Sequence, residues 1–180
     1  MQPEQIGKLI ADRFGAAILE ARLDAPQPWV NVAPGHLVEI LAFLRDRPET
    51  KFDYLRAIAG VDYIQENEFE LVYFLFSYPH RHDLKVKVRI SREVARIATA
   101  EGVWPAANWH EREIFDLLGI EFEGHSDMRR ILLPDDWVGY PLRKDYKEQA
   151  EYHGVSTTRP YPTGMPELPT LPPNPAPVRK

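Results

Sequence analysis

FELVYFLFS at residues 69–77 and LKVKVRI at residues 84–90 decide the fold. The first run is almost continuously apolar and aromatic, as a strand covered on both faces would be. The second alternates: Leu84, Val86, Val88 and Ile90 lie on one side and Lys85, Lys87 and Arg89 on the other. That pattern predicts an antiparallel strand with one face in the core and one facing solvent or a partner. Between them Tyr78-Pro79-His80-Arg81-His82-Asp83 reads as a polar hairpin tip, because two histidines and an aspartate fall short of a metal site. Residues 54–63, with Leu55, Ile58 and Val61, form a third strand, and Gly60 predicts a bulge or bend near its end.

Helices flank these strands. Residues 3–15 are amphipathic through Ile6, Leu9, Ile10 and Phe14, and residues 36–45 carry the stripe Leu37, Ile40, Leu41, Leu44 after Pro34-Gly35. Residues 17–23 and 29–32 are short strands separated by a turn with Asp24, Pro26 and Pro28. Downstream, residues 93–100 are expected to form a short helix. A second helix runs from Pro105 to Leu118, with Ile114, Leu117 and Leu118 on one face and Gly119 as the stop. The order predicts an α+β domain, a mostly antiparallel sheet with helices packed on one face, followed by an extended C-terminal arm. The domain is assigned to residues 1–120, a charged arm to 121–158 and a Pro-rich tail to 159–180.

The arm carries Phe122, Met128, Ile131, Leu132, Leu133, Trp137, Tyr140 and Leu142 without a period of 2 or 3.6, so it needs a surface to lie on. Arg129, Arg130, Arg143 and Lys144 alternate with Asp127, Asp135, Asp136 and Asp145, and any that are buried need partners of opposite sign. One reading is an ordered loop folded back on its own domain; the other is an arm laid on another subunit. In the helix before it, Glu111, Arg112, Glu113 and Asp116 occupy other faces than the apolar stripe, and Arg112 and Asp116 stand one turn apart, able to pair.

The run from Trp109 to Tyr146, WHEREIFDLLGIEFEGHSDMRRILLPDDWVGYPLRKDY, strongly resembles the signature of the 30 kDa subunit, or C subunit, of respiratory complex I, the NADH:quinone oxidoreductase. It departs at Ser126 and Lys147, where that family usually or often has proline. Related subunits of membrane-bound nickel–iron hydrogenases and of chloroplast-type dehydrogenases share the motif more loosely, so the alternative parent is such a hydrogenase or a quinone reductase with another donor. The resemblance implies a cofactor-free subunit of the peripheral arm of a proton-pumping enzyme. FMN, iron–sulfur clusters, NADH and quinone would be handled by other subunits. Its implied partners are the large 49 kDa-type subunit that helps form the quinone site and the iron–sulfur subunits of the quinone module. For contact with them the candidates are Trp109, Glu111, Arg112, Glu113, Asp116 and His125, then Asp127, Arg129, Arg130, Trp137 and Tyr140, and finally Arg143, Lys144, Asp145 and Tyr146. Arginine forks suit partner carboxylates and the aromatics suit interface anchors.

Composition agrees with this role. The 180 residues include no cysteine, which excludes disulfides, thiolate clusters and a cysteine nucleophile in this chain. A net charge of −5 argues against nucleic acid as a partner. No apolar run approaches the roughly 20 residues that span a bilayer, and the start lacks a signal-peptide pattern. The expected location is the cytoplasmic side of the membrane, with membrane contact only through partners.

An enzyme with its own active site would have to use His110, Glu111, Glu113, His125 and Asp127. The segment His110-Glu111-Arg112-Glu113 lacks a second histidine one turn on, and His125 with Asp127 falls short of three metal ligands. Prolines at 160, 162, 166, 169, 172, 173, 175 and 177 favour an extended tail. At ~3.1 Å per residue, about twenty residues reach on the order of 60 Å.

Overall fold

The computed structural model describes residues 1–157; the Pro-rich tail lies outside the described residues. The helices are α1 (Pro3–Phe14), α2 (Leu37–Asp46) and α3 (Ala107–Leu118). The strands are β1 (Ile18–Arg22), β2 (Trp29–Val32), β3 (Tyr54–Tyr63), β4 (Glu68–Ser77), β5 (His82–Ser91), β6 (Arg96–Ala98) and β7 (Glu121–Glu123), with β8 (Glu151–Tyr152) and β9 (Val155–Ser156) as a separate hairpin. A five-stranded sheet runs in the order β1-β2-β5-β4-β3, with β2–β5 parallel and every other pair antiparallel. The α+β architecture is as predicted.

The alternation of β5 does what the sequence requires. Leu84, Val86, Val88 and Ile90 enter the core with Leu71 and Tyr73 of β4 and Val30 and Val32 of β2, and α1 and α2 close over them with Ile6, Ile10, Leu37, Ile40, Leu41 and Leu44. Burying side chains of this size is worth ~1.5–3 kcal/mol each before the entropy of ordering is counted. On the other face each cation of β5 lies on an aromatic ring: Lys85 over Phe74, Lys87 over Trp29 and Arg89 over Tyr63, at 4.6–5.0 Å. The tip between β4 and β5 is a turn in which His80 and His82 donate through Nε2 to the carbonyls of Pro48 and Thr50, at 2.8 and 2.7 Å. Both rings thereby tie the tip to the loop after α2.

Three local expectations change. Residues 93–100 do not form a helix. Ala95 sits at φ 43°, β6 follows, and its Ile97 is buried between exposed Arg96 and Ala98 by parallel pairing to β7. A strand of three residues has too little alternation to be told from a helical turn, and its partner lies about 25 residues downstream. The irregularity of β3 lies between Leu55 and Ala57, not at Gly60. Gly60 instead admits α3: a Cβ there would come within 2.4 Å of Leu118 Cδ1. Finally, residues 1–147 make one compact unit, to which the described residues after 147 do not belong. The segment 121–147, assigned above to an arm, thus belongs to the domain, beginning with β7, which pairs with β6 in a separate two-stranded sheet.

Candidate functional site

Helix α3 ends at Gly119, whose left-handed conformation (φ 70°) lets its N–H return to the Phe115 carbonyl at 2.9 Å. The chain then passes through β7 and wraps the helix. At the centre of the wrap is Asp116, fully buried. Its Oδ2 accepts the N–H groups of Ile131, Leu132 and Leu133 at 3.0, 2.7 and 2.8 Å, and its Oδ1 accepts Arg130 at 2.8 Å. Three successive backbone donors aimed at one oxygen make an anion nest, here filled from within the chain. Burial pushes the Asp116 pKa up, but the N–H groups of Leu133, Leu132 and Ile131 together with Arg130 outweigh it and hold the carboxyl below its ordinary value.

The pairing of Arg112 with Asp116 expected from helical spacing does not form. Asp116 has stronger donors in the arm, and Arg112 donates to the carbonyls of Arg129 and Arg130 at 3.1 and 3.3 Å, with Asp127 at 3.9 Å as its nearest carboxylate. Arg130 also donates to the Trp137 carbonyl at 3.2 Å. Arg143 donates to the Leu118 carbonyl at 2.6 Å, at the C-terminal end of α3 where a cation is favoured. Tyr140 lies on Gly119, where a Cβ would stand 2.4 Å from the ring, and the guanidiniums of Arg143 and Arg130 are 4.7 and 5.6 Å from the ring centre. Tyr146 packs on Gly139.

The wrap finishes on the sheet. Asp62 of β3, its side chain fully buried, accepts the Lys144 N–H at 2.8 Å and pairs with Arg92 at 2.8 Å; Arg92 also holds Asp145 at 2.8 Å. Sequence reasoning missed Asp62 and Arg92. A signal existed for the first, because Asp62 has the same parity on β3 as buried Ile58 and an acid at a core position needs a partner.

A second buried acid organises the start of the wrap. Glu111, also fully buried, accepts the Thr99 hydroxyl and the Ala100 N–H, the latter at 2.7 Å. Burial raises its pKa in spite of these bonds. His125 bridges the turn, donating through Nε2 to the Asn108 carbonyl at 3.1 Å and accepting the Asp127 N–H on Nδ1 at 3.0 Å. Ser126 gives both its N–H (2.9 Å) and its hydroxyl (2.6 Å) to Glu101, which also receives Asn108 Nδ2 at 2.9 Å. Those three donors lower the Glu101 pKa to about 2. A proline at 126 would have neither donor, so at this departure from the family pattern charge-assisted hydrogen bonds stand where ring rigidity would otherwise act.

Several large apolar side chains stay outside, among charged ones that include Asp135, Asp136 and Asp145. Trp109, Leu132, Val138 and Leu142 are 61, 61, 64 and 55% exposed. Arg112 stacks against Trp109 from one side at 5.3 Å. Glu113 and the Lys144 side chain are exposed, and Arg129, also exposed, forms a two-point pair with Asp127 at 2.6 and 2.8 Å. Among the described residues no three His, Asp or Glu side chains converge as metal ligands, and no helix is long and apolar enough to cross a membrane. The arrangement builds a shaped surface around α3.

Known proteins match this chain over most of its length. The model of the respiratory-chain NADH dehydrogenase 30 kDa subunit matches residues 30–152. The C subunit of the NADH-quinone oxidoreductase of Chlorobium phaeobacteroides is 43% identical over 149 residues, covering 82% of this chain and 90% of that protein. Among solved structures, a chain of the membrane-bound sulfane sulfur reductase, an archaeal respiratory membrane complex, superposes with a TM-score of 0.71 at 30% identity, covering 82% of this chain and 86% of its own. The trypsin-resistant fragment of Nqo5 superposes with a TM-score of 0.59 at 29% identity over 71% of this chain and 99% of the fragment. By sequence and by fold, the chain belongs to the family of the 30 kDa subunit of the respiratory-chain NADH dehydrogenase.

Proposed function

We propose that the chain is a cofactor-free peripheral subunit of a proton-pumping NADH:quinone oxidoreductase on the cytoplasmic side of the membrane. It docks through the wrapped segment 127–146 and the outer side of α3 onto the large subunit that helps form the quinone site. Its contribution to electron transfer from NADH to quinone is architectural, and FMN, the iron–sulfur clusters and both substrates belong to other subunits. One observation carries this reading. Arg112 of α3 and Arg130 and Arg143 of the segment are turned inward onto backbone carbonyls and Asp116, while Trp109, Leu132, Val138 and Leu142 are left outside on a member of a subunit family.

The contact is therefore anchored by apolar and aromatic side chains, with Glu113, Arg129 and Lys144 at the rim. Arg112, Arg130 and Arg143 act on it indirectly by holding its shape. The test is affinity purification of the tagged chain from its host in mild detergent, with NADH-dependent quinone reduction assayed on what co-purifies. Leu132→Asp with Leu142→Asp should leave the isolated chain folded and reduce recovery of iron–sulfur subunits at least tenfold; wild-type recovery would refute the docking surface. A second reading, the equivalent subunit of a complex with another electron donor, is favoured by the match to a sulfane sulfur reductase chain. Inactivity of the purified complex with NADH, alongside intact co-purification, would select it.

A further inference from the structure

We infer that the free edge of β3 receives an extended segment of a neighbouring subunit, which adds a sixth strand to the five-stranded sheet. The sheet ends at β1 on one side and β3 on the other, and the two edges are built differently. β1 is five residues long, bulged between Ile18 and Glu20, and carries Glu20 and Arg22 as an exposed ion pair. Short length, a bulge and charge are the features that keep an edge from pairing with another chain. β3 has ten residues, and from Ala57 to Val61 it bears no charge and keeps continuous register with β4.

Among the described residues, the backbone of Tyr54–Val61 makes no hydrogen bond beyond the β4 ladder. Half of its donors and acceptors therefore point away from the sheet. Ala57 and Ala59 are small and partly exposed, so a second backbone can come to the ~4.8 Å spacing of paired strands there.

The occupant follows from chemistry. A row of alternating N–H and C=O groups is matched by another extended polypeptide, and a lipid or a nucleic acid offers no such row. Apolar residues of modest size would face Ala57, Ala59 and Val61, while half-exposed Arg56 is already turned to Asp83, 4.0 Å away. The edge is also continuous with the docking segment, which ends on Asp62 of the same strand. The inference rests on the docking reading in requiring a neighbouring subunit.

Amide hydrogen exchange of the purified chain and of the detergent-solubilised complex tests it. In the isolated chain alternate amides of Ala57–Val61 should exchange fast; in the complex they should slow by at least a hundredfold, while those of β1 stay unchanged. Unaltered exchange at Ala57–Val61 in a complex that retains the chain overturns the inference. So does slowing of these amides in a dimer of the purified chain, which would make a second copy the occupant. Failure of the docking reading looks different: Ala57–Val61 slows in the complex while Leu132→Asp with Leu142→Asp leaves co-purification at the wild-type level.

Discussion

Asp116→Asn removes one charge and almost no volume, and the structure predicts a large effect. The carboxylate is fully buried and serves four donors, the N–H groups of residues 131–133 and Arg130. An asparagine keeps one carbonyl oxygen for the nest, but its amide group must turn either toward Arg130 or toward the N–H groups, donor against donor. Arg130, with a side chain only 16% exposed, loses its counter-charge. Breaking a buried ion pair by removing one partner costs ~3–5 kcal/mol, and the three N–H bonds weaken as well when their acceptor becomes neutral. For a domain of this size that lowers Tm by roughly 10 °C. Urea and thermal unfolding of the isolated chain, followed by tryptophan fluorescence, measure it, and amide exchange at residues 131–133 locates it. Adding Arg130→Met should recover part of the loss, because the orphaned cation goes with it. If Asp116→Asn melts within about 2 °C of wild type with residues 131–133 still protected, Asp116 does not organise the wrap.

Other consequences are as direct. The Glu101 pKa is lowered from 4.5 to about 2, so its bonds stabilise the fold fully above pH 4.5 and are lost as pH falls toward 2. Ser126→Pro, which removes two of the donors, should flatten that acid limb and return the Glu101 titration, followed by NMR, toward 4.5. Glu111 has the opposite sign: its pKa is raised above 4.5, so its contribution is present below pH 4.5 and lost as pH rises through the folded value. Urea unfolding of Glu111→Gln, which can still accept the Ala100 N–H, should lack this decline. Gly119→Ala meets both a φ of 70° and the ring of Tyr140, and should cost ~2 kcal/mol or more by thermal melting.

The strands and helices that face the core were legible because their periods are long. Residues 84–90 of β5 alternate without a break. The wrap was legible only as a requirement, since charge among apolar residues implied partners without naming them. Its geometry was hidden because backbone groups supply most of the bonds. Asp116 is held by three N–H groups, and Arg112 and Arg143 by carbonyls, none of which depends on residue type. Helical spacing put Arg112 beside Asp116, and a non-local nest outcompeted that pair. Gly60 was visible as an exception, but the sequence could not say whether a bulge or a close approach required it.

Asp62 and Lys144 are 82 residues apart, and this separation sets an order of events during synthesis. At ~5–20 residues per second a ribosome needs about 4–16 s to travel between them. Arg92 emerges earlier, 30 residues after Asp62, and is the partner that keeps the buried carboxylate neutralised in the meantime. The sheet can therefore close with its acid already paired, and the wrap arrives as a later, separable step. A nascent chain stalled before Arg130 would hold a finished sheet beside a helix whose Asp116 has neither its cation nor its nest.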